Sequence, residues 1–138
     1  MKEETTMLSY AEYLQYPEGK DLVERFFDAV ICLRADELEE TLAGYARKEG
    51  NALNDNAVCY FAGEVPESDP EYFGDRGVAV YRYEPARDVL TIVLVKEEDF
   101  CDALTDALER HRKQFTPARC AALTKQLAAV QAKLRPSI

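Results

Sequence analysis

The chain has 138 residues, 47% of them hydrophobic, with 26 acidic against 17 basic side chains and a formal net charge of −9. That length suits a single globular domain, residues 1–138, with a self-sufficient core. No apolar run is long enough to span a membrane, and so acidic a chain repels nucleic-acid backbones.

The charge is unevenly spread. Residues 1–54 carry six Lys/Arg against twelve Asp/Glu, residues 55–109 four against fourteen, and residues 110–138 seven against none. Such a layout attracts a basic protein and speeds the encounter, besides keeping the chain in solution. The first residues, MKEETTMLSYAEYLQ, lack an apolar signal region, so the expected compartment is the cytoplasm. Cys32, Cys59, Cys101 and Cys120 form no CxxC pair and each lies in an apolar segment, which reads as four reduced, buried thiols. With His111 the only histidine, no zinc-ligand spacing is completed, and no cofactor is expected.

In chain order, Thr6 to Tyr16 reads as a short helix ending before Pro17, its three tyrosines either packing an N-terminal arm or forming a docking face. Leu22, Val23, Phe26, Phe27, Val30 and Ile31 recur at helical spacing and predict an amphipathic helix over 19–33. Asp36 followed by Glu39 fits a capping box opening a helix over 36–49. Asp36, Glu37, Glu39 and Glu40 crowd its first turn, where acids suit the helix dipole. NALNDN, residues 51–56, carries turn chemistry, and residues 57–62 form a short apolar strand.

Residues 64–75, EVPESDPEYFGD, read as a long surface loop, with five carboxylates (Glu64, Glu67, Asp69, Glu71, Asp75) and two aromatic residues. Of Tyr72 and Phe73, one is expected to anchor the loop and the other to face a partner. Residues 77–83 and 89–95 form a hairpin: the first strand sets Val78, Val80 and Arg82 on one side and Ala79, Tyr81 and Tyr83 on the other, and the second is apolar on both faces. A helical hairpin over 97–114 and 117–134 ends the chain, its second helix opened by Thr116 and Pro117. His111 lies at the apolar stripe of the first of these helices and reads as a boundary residue with one hydrogen-bond partner. Arg119, Lys125, Lys133 and Arg135 lie outside the stripe of the last helix and read as solvated or as holding the acidic body. The expected fold class is α+β: a small antiparallel sheet of about three strands packed with two N-terminal helices and the C-terminal hairpin.

No nucleophile motif, metal-ligand set or phosphate loop appears along the chain. What does appear is a series of apolar patterns: Phe26-Phe27-Asp28-Ala29, Asp36-Glu37-Leu38-Glu39, Val58-Cys59-Tyr60-Phe61, Gly77-Val78, Val93-Leu94-Val95, Glu98-Asp99-Phe100 and Phe115-Thr116-Pro117. In this order they resemble immunity proteins of bacterial contact-dependent growth inhibition (CDI) systems, of the group paired with ribonuclease toxins, over roughly Gly19 to Leu134. The purely basic last segment departs from that family's pattern.

The resemblance implies a non-catalytic binding module whose partner is the cognate toxin C-terminal domain, a basic nuclease. Carboxylates covering its phosphate-binding groove would supply fast capture. The residues expected to face the toxin are Asp36, Glu37, Glu40, Glu64, Glu67, Asp69, Glu71, Tyr72 and Asp75. The alternative is an acidic specialised secretion chaperone binding an unfolded effector segment. An enzyme is a third reading, which perturbed carboxylates in a pocket would revive.

Overall fold

The computed structural model of the chain describes residues 4–135. The strands are β1 (Glu4–Leu8), β2 (Ala52–Asn54), β3 (Ala57–Phe61), β4 (Val78–Glu84) and β5 (Val89–Val95). The helices are α1 (Tyr10–Gln15), α2 (Pro17–Leu33), α3 (Leu38–Ala46), α4 (Glu97–Arg110) and α5 (Pro117–Leu134). The class is α+β as expected, but the sheet is larger: five strands in the order β1-β5-β4-β3-β2, mixed rather than antiparallel.

The additional strands lie at the two edges. β1 pairs in parallel with β5, Thr6 opposite Thr91, where a helix was expected from Thr6. The helix starts later because Ser9 and Glu12 form the capping box: the Glu12 amide donates to Ser9 Oγ at 3.3 Å and the Ser9 amide to Glu12 Oε1 at 3.2 Å. Residues upstream of that cap are free to extend, and the open edge of β5 gives their backbone groups a ladder. β2 occupies part of the expected turn and pairs antiparallel with β3, while the turn itself tightens where the Asn56 amide donates to Asn54 Oδ1 at 2.7 Å. At the centre, β4 and β5 pair in register from Val78 opposite Val95 to Glu84 opposite Val89, closed by a four-residue turn, Pro85 to Asp88.

All the large helices lie on one face. Val78, Val80, Val93, Val95, Cys59 and Phe61 point from the sheet into the main core, meeting apolar side chains of α2, α3, α4 and α5. Its centre is aromatic. The Phe100 ring makes edge contacts with Phe27, Tyr45 and Phe61 at 4.9, 5.1 and 5.4 Å, and all four are fully buried. Tyr45 keeps its polar tip satisfied by donating to Asn51 Oδ1 at 2.6 Å, and burial first, then the neighbouring Cys59, holds its phenol well above the usual range.

Three further expectations are corrected. Asp36 caps no helix: it sits in a 3-10 turn, Ala35–Glu37, and α3 starts after Glu37 without a side-chain cap. The last helix packs more extensively on α3 than on its chain neighbour α4, so 97–134 is not a simple hairpin. Only two of the four free thiols, Cys59 and Cys101, are buried; Cys32 is exposed and Cys120 half-buried. The α5 cap is as expected, with Thr116 Oγ accepting from the Arg119 amide at 3.2 Å and Pro117 in the first turn.

Candidate functional site

The other face of the sheet carries no large helix. Ala79, Tyr81, Ile92 and Leu94 form a second, smaller apolar cluster there, joined by Tyr10, Val58, Phe73 and Leu90. Its cover is the acidic segment between β3 and β4. Phe73 packs into the cluster and anchors that segment, as expected of one of the two aromatic side chains, while Tyr72 stays 37% exposed.

The segment is pinned at both ends. At the start, Glu64 Oε1 accepts from the Gly50 and Phe61 amides, each at 2.8 Å. At the end, the Tyr10 hydroxyl donates to the Arg76 carbonyl at 2.8 Å, and Gly77 has a φ of 100° with its Cα pressed against the Tyr10 ring. A side chain at 77 would collide with that ring and strain the backbone.

Beyond the cover, the face is wet and aromatic. Tyr60 is 38% exposed and stands edge-on to Tyr81 at 5.5 Å. Met7, on the same side of the neighbouring strands, is 47% exposed. Burial first, then the charges of Glu71 and Asp69, push the Tyr81 phenol up to about 12.

The nine residues singled out from sequence fall into two groups. Glu67, Asp69, Glu71 and Tyr72 belong to the cover of this second face. Asp69 is half-buried and closes a turn by accepting from the Glu71 amide at 2.8 Å. Asp75 lines a cleft of about 440 Å³ beside Phe73, Arg76, Lys96 and Glu97. Asp36, Glu37 and Glu40 are exposed on the helical side, where Glu37 and Glu40 border a cleft of about 200 Å³ with Glu49 and Gly50. Glu64 reaches from the first group to the edge of the second through Gly50, and its role there is structural.

The remaining charge is paired differently. Arg119 of α5 binds Glu39 at 2.8 Å, donates to the Ala35 carbonyl and lies 5.1 Å above the Phe115 ring. Arg135 pairs with Asp102, Lys48 with Glu97 at 3.1 Å, and Arg110 with Asp28 at 2.9 Å. The basic arginines of the last segment thus clamp acidic helices, the intramolecular reading of that segment. By contrast, Asp36, Glu37, Glu40, Glu64, Glu67, Asp69 and Asp75 enter no ion pair among the described residues.

His111 has more than the single partner expected. Its Nε2 faces Asp28 Oδ1 at 2.8 Å, the Gln114 amide donates to Nδ1 at 2.7 Å, and Cys32 Sγ lies 3.8 Å from Nδ1. Burial raises the Asp28 carboxyl, but the bonds and charges of Arg110 and His111 outweigh it and hold the group below the ordinary carboxylate range.

Sequence reasoning missed Tyr60, Tyr81 and Met7 as candidate contacts. The signal for the first two was present in the alternation Val58-Tyr60 and Ala79-Tyr81, which sets them on one face.

A family described as CDI immunity protein matches residues 19–118 by its sequence model. The matched span runs from the first turns of α2 to the first residues of α5, so β1, α1 and nearly all of the basic last helix lie outside it. No curated protein and no solved structure matches the chain.

Proposed function

The chain belongs to the CDI immunity protein family, whose members neutralise a cognate toxin and are generally not catalytic, and on that premise we propose how this one does so. It captures a basic nuclease toxin, an RNA-cutting one, by laying unpaired carboxylates over the groove that holds the toxin's phosphate-binding residues. A toxin that cuts RNA has to present cationic side chains to phosphates. An acidic body meets them by long-range attraction and then excludes the substrate. Neutralisation of this kind belongs in the cytoplasm, where such a toxin finds its RNA.

The observation that carries the reading is the division of charge within the fold. Arginines of the last segment clamp the acidic helices, whereas Asp36, Glu37, Glu40, Glu64, Glu67, Asp69 and Asp75 enter no ion pair among the described residues. Unpaired acids on one molecule repel one another and gain when a cationic surface arrives. The test is the association rate with the toxin domain encoded by the adjoining reading frame. Reversing Glu67, Asp69 and Glu71 to Lys together is expected to slow association by about tenfold or more at low salt. The gap from the unaltered protein should narrow as salt is raised, since screening removes the attraction that the variant has lost. Equal rates at low salt would remove these carboxylates from the encounter.

A further inference from the structure

We propose that the docking surface is the loop-covered face of the sheet, with Tyr60, backed by the buried Tyr81, and Tyr72 as its centre, Met7 at one side and Asp69 at the rim, and that its occupant is the basic surface of the folded toxin domain. The inference rests on the proposed function and selects one of the two acidic groups, leaving the one on α3 outside the interface.

Two observations on different physical grounds meet at this face. The first is apolar. Tyr60, Tyr72 and Met7 are three of the six large apolar side chains left exposed among the described residues, and Tyr60 sits on a strand whose other face is buried core. Tyrosine brings a rigid ring with only two side-chain torsions and a polar tip, so it binds at small entropic cost and is enriched where partners dock. Tyr60 is already held by Tyr81. The second is electrostatic. Asp69 and Glu71 share one tight turn with Tyr72, whose amide donates to the Asp69 carbonyl at 3.0 Å, and Phe73 packs that segment onto the cluster behind the rings, so these acids are carried beside the aromatic centre. An apolar centre inside a charged rim is the layout of a specific interface, and the sign of the rim selects a cationic partner. The α3 group has the charge without the centre: Asp36, Glu37 and Glu40 have no exposed aromatic side chain on their own turn or helix.

The test uses the full chain and the toxin domain encoded by the adjoining reading frame, inactivated in its active site. Tyr60→Ala and Tyr72→Ala are compared with Glu37→Lys/Glu40→Lys by calorimetric titration, and thermal melts confirm that each variant is folded. Each tyrosine variant is expected to weaken binding by about thirtyfold, and the α3 variant by less than about threefold. Hydrogen exchange of the unaltered complex gives a second reading that needs no variant: amides of β3, β4 and residues 64–76 should gain protection while α3 does not. Tight binding by the tyrosine variants, or protection confined to α3, would overturn this surface and leave the proposed function standing. Failure of the unaltered chain to bind the domain at low salt would overturn both.

Discussion

The helix-covered and loop-covered faces alternate along the same strands, so β3, β4 and β5 each contribute to both. On the helical side, Val78, Val80, Val93 and Val95 meet four helices and a fully buried aromatic cluster. On the other, Ala79, Tyr81, Ile92 and Leu94 meet one pinned loop and the first turn of α1. The ion pairs of Arg110, Arg119 and Arg135 all join helices on the core side. The main core thus lies on one side of the sheet and the proposed docking surface on the other. A binding face can then change without disturbing the core, because successive strand residues point to opposite sides.

The largest effect that separates the faces should come from Phe100. Its ring makes edge contacts with Phe27, Tyr45 and Phe61, all fully buried, so its removal opens a cavity at the centre of the core. Phe100→Ala is expected to cost about 3–5 kcal/mol of unfolding free energy. Tyr60→Ala, on the half-exposed face, should cost about 1 kcal/mol or less. Urea unfolding of the two variants measures the difference; equal losses would mean that the loop-covered face is as much a core as the other.

Next in size is the hinge of the cover. Gly77→Ala puts a methyl group into the Tyr10 ring and an L-residue at a φ of 100°, a cost of about 2 kcal/mol. The loss should be local. Amides of residues 64–76 are expected to exchange faster, and those of α2 and α4 to keep their protection. Uniform acceleration across the chain would show that cover and core unfold as one unit.

The same contrast decides what could be read from the sequence. The β4–β5 hairpin and α2 were legible because their partners are close in sequence or their periodicity is strong. The split between Phe73 as anchor and Tyr72 as exposed residue was open only to the extent that one of the pair had to go each way. β1 was not legible: ETTML has no strong pattern, and its ladder partner Leu90 is contributed by a strand far along the chain. The Asp36 box failed because residues 35–37 tighten into a 3-10 turn, which delays the start of α3 to Leu38. For the candidate site, the acids themselves could be named from sequence. Which of them lack a base could not, since that depends on pairs such as Arg119 with Glu39, 80 residues apart.

The smallest effect tests whether paired and unpaired acids differ in kind. Asp28 accepts from Arg110 and His111 on the helical side, and Glu67 stands unpaired on the loop. Asp28→Asn is expected to cost about 1 kcal/mol at neutral pH, discounted because the carboxylate and Arg110 are both partly exposed. Glu67→Gln should leave stability unchanged or raise it slightly, by relieving repulsion among the loop carboxylates. The pH dependence follows from the direction of the Asp28 shift. Its folded carboxyl is held below the ordinary aspartate value, so the native state binds the proton less readily than the unfolded chain. The stabilisation is therefore complete above that value and is lost as pH falls through the lower, folded one. The gap between the unaltered chain and Asp28→Asn should hold near neutrality and close in stronger acid. A gap that persisted unchanged below the carboxylate range would mean that Asp28 acts through packing, and that ion pairing is not what distinguishes the helical side.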